Sequence, residues 1–200
     1  MSETHETDSR LVAGLWQVVA AHGWPGLSMR RVAEASGVPA AEIRRRCPSP
    51  CALLALHARV ADQQVLEGVV PGMALDSNTP RDRVFDVLMR RVDALQPHRA
   101  GILRLVEDLK RDPLLALPLL AGMPRSMAWM LEAAGLSAGG LAGLLRAQGL
   151  AAVWLATIRA WREDATADLG PTMAALDRAL DRAEQVARSL RLEPEDSVRD

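Results

Sequence analysis

Apolar residues recur at three- and four-residue intervals along nearly the whole chain, between stops marked by Gly and Pro, and that pattern restricts the fold to packed helices. Leu11, Val12, Leu15, Trp16 and Val19 form the first stripe. It closes at His22-Gly23, where Gly23 suits the left-handed residue that ends a helix. Ser28 is placed to cap a second helix, Met29 to Ser36, with Met29, Val32 and Ala33 inward and Gly37 as its stop. A short third helix runs from Pro39 to about Arg46, and Ser49-Pro50 opens a fourth over about 50–67. The stretch 68–79, GVVPGMALDSNT, is rich in helix breakers. Composition agrees with helix: Ala, Leu and Arg dominate, Tyr is absent and Phe85 is the one Phe, whereas β architectures draw on aromatic and β-branched residues.

The second half repeats the grammar. Thr79-Pro80-Arg81-Asp82 combines a cap, a first-turn proline and an acid in the first turn, and Val84, Val87, Leu88, Arg91, Val92 and Leu95 follow at helical spacing. After Gln96-Pro97 comes a helix over about 98–111 with Ile102, Leu105, Val106 and Leu109 inward. Asp112-Pro113 opens a helix to about Ala134, expected to kink at Pro118 or Pro124. Ser137 is expected to cap a long helix over about 138–164, and Gly170-Pro171 opens the last, with Met173, Leu176, Leu180, Ala183, Ala187 and Leu190 as its seam. Residues 1–8 read as a disordered leader, with Asp8 or Ser9 capping the first helix, and Leu192 onward as an acidic tail. The expectation is an all-α chain of about nine helices, with a head over 9–50 and a body over 51–190.

The segment RRVAEASGVPAAEIRRR (30–46) has the form of a helix-turn-helix. A helix ends at Gly37, a tight turn passes through Val38, and a second short helix leaves at a steep angle, docked by Val38 and Ile43. In such a motif the second helix lies in the major groove of DNA. Arg44, Arg45 and Arg46 offer charge for phosphates or for guanine edges. The net charge of −1 means that any nucleic-acid surface is a local patch.

The stretch from Leu11 to Leu56 resembles the TetR family of one-component regulators: AAHG (20–23), Leu27-Ser28, RRVAEASGV (30–38), the Ile43 anchor, and Pro48-Ser49 before Leu53-Leu54. The resemblance implies a homodimer whose heads bind a pseudo-palindromic double-stranded DNA operator. It also implies a ligand in the body that changes the spacing of the two heads. It points to Ser28, Arg30, Pro39, Ala40, Arg44, Arg45, Arg46 and Ser49 as DNA contacts. Three positions depart from the family: Arg44 stands where an aromatic is usual, Cys47 where Phe is usual, and Pro50 where a phosphate-contacting Lys is usual.

The body gathers Met127, Trp129 and Met130 on one helix and Trp154, Ile158 and Trp161 on the next. With Leu105 and Leu109 these are the expected lining of an apolar ligand pocket, since Met and Trp form adaptable apolar walls. Residues 80–190 are also similar to the lipid-binding accessory protein of coenzyme Q biosynthesis, through 81–102, AVWLATIRAWRED (152–164) and TMAALDRALDRAEQV (172–186). That similarity implies a small apolar or lipid-like ligand and a rival reading, a TetR-shaped lipid binder that does not touch DNA. By the family resemblance the last two helices pair with their copies. Their surfaces carry Asp177, Arg178, Asp181 and Arg182, and Glu184 with Arg188 is a possible i,i+4 pair.

No G-x-S-x-G, H-E-x-x-H or phosphate loop occurs, so no enzyme is expected. Neither a cofactor nor a metal is expected: Cys47 and Cys51 lack the further ligands a tetrahedral site needs, and Cys47 reads as a small buried filler. Residues 1–10 have no basic-then-apolar signal pattern, and no uncharged run has membrane-spanning length, which suggests a cytoplasmic location without integral membrane association.

Overall fold

The computed structural model describes residues 2–68, 79–112 and 116–189. The helices are α1 (Ser2–His22), α2 (Met29–Ser36), α3 (Ala40–Arg46), α4 (Pro50–Glu67), α5 (Pro80–Leu95), a 3₁₀ turn (Gln96–His98), α6 (Arg99–Arg111), α7 (Ala116–Ala133), α8 (Gly140–Glu163) and α9 (Gly170–Ser189). Among the described residues there is no extended strand, so the all-α expectation holds.

Two compact units are present: Met1–Gln63 with Ala94–Gly122, and Gln64–Asp93 with Met123–Asp200. The first contains the whole 9–50 region, and the 51–190 region contributes to both.

In the first unit, α1 is the element on which α2 and α6 pack. Its stripe of Leu11, Val12, Leu15, Trp16 and Val19 is buried, together with Val32, Val38, Ile43, Leu53 and Leu105 from neighbouring segments. Two glycines set how close those neighbours come. A Cβ at Gly14 would lie 2.8 Å from the Ser36 Cβ, so α2 rests directly on the α1 backbone. A Cβ at Gly101 on α6 would lie 2.5 Å from the Trp16 carbonyl oxygen. The turn after α1 is tied to α6 as well: the buried Asp108 carboxylate accepts the Trp24 N–H at 2.7 Å. Gly23, at φ +68°, leaves room for that carboxylate. Trp16 meets the His57 ring edge-on at 4.9 Å, and His57 meets His98 at 5.9 Å.

The N-terminal leader expected over residues 1–8 is instead helix from Ser2 onward, so neither Asp8 nor Ser9 caps α1. The extension is held from outside, because Asp8 pairs with Arg46 at 2.9 Å and His5 bonds Gln63 at 3.0 Å.

In the second unit, α8 and α9 pack as a hairpin whose connection is organised by Asp164. One carboxylate oxygen accepts from the Thr166 N–H and hydroxyl, and the other from the Thr172 N–H and hydroxyl, at 2.6–3.0 Å. The Thr172 bonds cap the first turn of α9. Arg83, buried, donates from Nε to the Ala134 carbonyl at 2.8 Å, placing positive charge at the C-terminal end of α7. Arg81 on α5 bridges Asp177 and Asp181 on α9, at 2.6 Å to each. The expected Glu184–Arg188 pair forms at 2.9 Å. Pro124 lies inside α7 without ending it, and Pro118 falls in its first turn. Pro113 lies outside the described residues, as do Leu190 and the tail. Ser137 is not the cap of α8: Gly139 takes that position, and the Ser137 hydroxyl accepts the Gly139 N–H at 3.3 Å.

Two outcomes follow. Gly101→Ala must push α6 off the α1 backbone and cost about 1–3 kcal/mol in urea unfolding. Gly122→Ala, in a helix with open space around it, is neutral or gains up to about 1 kcal/mol. Equal effects of the two would refute the close-approach argument. The four bonds to Asp164, led by those from the Thr166 and Thr172 hydroxyls, hold its pKa well below the usual carboxylate range. A folded-state value below the unfolded value of about 3.9 gives stability that is present above that value and lost as pH falls toward the folded value. Asp164→Asn should therefore be less stable than wild type at neutral pH and flatter in its acid dependence, as read by unfolding midpoints across an acid series.

Candidate nucleic-acid interface

The turn between α2 and α3 is built almost entirely from local bonds. The Ser28 hydroxyl accepts the Arg31 N–H at 3.3 Å and caps α2. At the other end Gly37 adopts φ +65° and its N–H returns to the Ala33 carbonyl. The buried Ser36 hydroxyl donates to the Val32 carbonyl at 2.7 Å and accepts the Val38 N–H at 3.2 Å. Arg10 on α1 then closes the turn from outside, donating to the Ser36 and Gly37 carbonyls at 2.9–3.1 Å. Val38 and Ile43 are buried and dock α3. α3 is therefore a short helix anchored along one side, with Pro39, Ala40, Ala41, Arg44 and Arg45 exposed on the other.

The residues expected at DNA divide into two groups. Pro39, Ala40 and Arg44 stand at the surface, and Arg44 donates to the Pro48 backbone carbonyl at 3.0 Å. Arg30 is exposed but paired to Glu34 at 2.8 Å. Ser28 and Ser49 are occupied as helix caps, the latter accepting the Ala52 N–H at 3.2 Å. Arg45 pairs with Glu42. Arg46 is gripped twice, by Glu42 at 2.5 Å and Asp8 at 2.9 Å, with only 27% of its side chain exposed. The hydrogen bond from Arg46, with the charges of both arginines, holds Glu42 below the usual carboxylate range. Arg31 on α2 is exposed and donates to the Gly26 carbonyl at 2.5 Å. An open groove of about 400 Å³ runs beside α3, lined among others by Thr4, Thr7, Arg10, Glu42 and Arg45.

Cys47 is buried, and that burial raises its thiol pKa, so its sulfur is a packing atom in the position where the related pattern carries Phe. Cys51 is exposed.

In the second unit, Met127, Met130, Trp154 and Trp161 are buried and Ile158 is half-buried. Trp129 is not inward: it is 51% exposed, because the 127/130 spacing defines the buried side of α7 and residue 129 turns away from it. Arg91, also buried, lies with its guanidinium 5.1 Å from the Trp154 ring centre and 3.7 Å from the Met130 sulfur. In the first unit Leu105 is buried and Leu109 half-buried.

Along α8 the exposed positions Leu141, Leu144, Leu145, Gly149, Ala152 and Leu155 recur at three- and four-residue steps, forming one apolar stripe opposite the side buried on α9. By length and composition α8 could also cross a membrane, a property the reading of uncharged runs did not register because Arg146 and Arg159 interrupt it.

Sequence reasoning missed Asp8 and Glu42, the two carboxylates that occupy Arg45 and Arg46 of α3. Glu42 carried a usable signal, since it precedes Arg45 and Arg46 by three and four residues on one helix. Asp8 carried none, because its partner is 38 residues away.

No protein-family model matches the sequence, and no curated protein matches it. Solved structures do match. One is a TetR transcriptional regulator from Nitrosomonas europaea, 21% identical, with a TM-score of 0.69 over 89% of this chain and 98% of that one. Another is a TetR transcriptional regulator from Rhodococcus, 20% identical, with a TM-score of 0.59 over 90% of this chain and 97% of that one. The chain has the all-helical fold of the TetR transcriptional regulators over about nine-tenths of its length.

Proposed function

We propose that this protein is a ligand-responsive transcriptional regulator of the TetR type that binds a pseudo-palindromic DNA operator as a homodimer. The observation that carries the reading is the α2–α3 turn, which presents a short anchored helix with Arg44 at its surface, within a chain of this fold. In this reading the 9–50 region is the DNA-binding head and 51–190 the ligand-binding and dimerisation body. α3 enters the major groove, Pro39 and Ala40 approach base edges, and Arg44 contacts a guanine or a phosphate. The protein acts in the cytoplasm, with no catalytic role and no integral membrane association.

Dimerisation through α8 and α9 is supported by the α8 stripe. Its leucines at 141, 144, 145 and 155 are 44–73% exposed on one face, with Gln148 as the polar residue among them, and exposed apolar side chains gathered in this way mark interaction surfaces. Gly149 has open space around it in mid-helix, which allows a second α8 to cross closely. The ligand is apolar or lipid-like, in keeping with the Met and Trp side chains of α7 and α8.

Selection of binding sites from randomised duplexes should yield a two-fold symmetric site with half-sites about 34–36 Å apart. Arg44→Ala should weaken binding to that site by about 1–3 kcal/mol. Recovery of no preferred sequence at low salt would sink the reading. Leu145→Arg should convert dimer to monomer in native mass spectrometry, by placing a charge where the copies meet. The same spectra of gently purified protein should show an apolar adduct, and a persistently bare mass argues against the ligand.

A further inference from the structure

The arginine run of α3 is less available than its sequence suggests. Three positive charges, Arg44, Arg45 and Arg46, face two carboxylates, Glu42 and Asp8, and the pairing is selective. Arg46 lies between both carboxylates, Arg45 shares Glu42, and Arg44 donates to the Pro48 carbonyl rather than to either carboxylate. Glu42 therefore holds two of the three guanidiniums at once. It also lines the groove through which a backbone phosphate could approach Arg45 from the α1 side.

We propose that Glu42 is a carboxylate brake on the recognition helix: it competes with DNA phosphates for Arg45 and, together with Asp8, holds Arg46 off the duplex, leaving Arg44 as the arginine that α3 offers without a competing carboxylate. The inference rests on the DNA-binding reading above and makes it specific. A phosphate must compete with Glu42 for Arg45, and the negative charge of Glu42 itself repels the duplex. The two arginines differ in how firmly they are held. The Arg45 side chain is 76% exposed, so its pair with Glu42 is a weak surface ion pair that a phosphate can replace. Arg46, at 27% exposure with a second carboxylate, serves to pin the first turns of α1 to α3. Helix α3 thus has a low non-specific affinity for DNA set by its own sequence, with base contacts weighing more in the total.

The test is equilibrium binding of the full-length protein to a fluorescein-labelled mixed-sequence duplex of about three helical turns across a salt series. Glu42→Gln should tighten binding about five- to tenfold near 0.1 M salt and steepen the slope of log K against log salt by about 0.9, one added phosphate contact. Adding Arg45→Ala to Glu42→Gln should remove the gain. Asp8→Asn, which relaxes the same cluster from α1, should tighten binding in the same direction and serves if Glu42→Gln folds poorly. Asp86→Asn, at an exposed carboxylate on α5, should change nothing. An unchanged or weakened Glu42→Gln with wild type still bound overturns the brake and leaves the regulator reading intact. A gain matched by Asp86→Asn overturns it too, as a bulk charge effect. Absence of binding by wild type and all variants at low salt overturns both readings.

Discussion

The head depends on the α1 backbone being approachable without side chains in the way. Gly14 lets α2 lie against it through Ser36, and Gly101 lets α6 lie against it at Trp16. At such separations each residue gains many dispersion contacts, but an extra methyl group has nowhere to go. Arg10 draws its bonds from the same arrangement: only because Ser36 sits on Gly14 do the Ser36 and Gly37 carbonyls fall within reach of its guanidinium. The position of α3 is thus inherited from α1 through a buried glycine, a buried serine and an exposed arginine whose donors are turned onto backbone carbonyls.

Helix content, order and most boundaries were legible because Gly and Pro punctuate the chain and apolar spacing is regular. α2, α3, α4 and α9 fall where their caps and stops put them. The misreadings share a cause, which is that local rules see only local partners. The acidic, polar first turns look like a leader because the features that stabilise them as helix, Arg46 and Gln63, are far along the chain. Trp129 looks like a pocket residue by composition and is turned outward by phase. Arg46 looks like a DNA contact by position in the motif and is claimed by two carboxylates. Asp108, buried against the Trp24 N–H, carries no local signal of that role, because its partner lies 84 residues away.

The candidate site is therefore sparser than the sequence pattern. A motif reports where residues fall relative to a groove, whereas the bonds they already make decide what they can offer. The same distinction applies to α8. Its hydropathy suits a membrane core, but its buried side packs on α9 and its free side repeats at the interval of a helix–helix seam. Periodicity of exposure, which hydropathy averages away, separates the two.

The Arg81 fork carries a consequence for mechanics. Asp177 and Asp181 are one helical turn apart on α9, and a single guanidinium holds both. Sliding α9 by a turn, about 5.4 Å, would keep one of the two bonds and lose the other. Sliding by half a turn would keep neither. The pair therefore favours one axial register of α9 against α5, since only there does a single guanidinium meet both carboxylates.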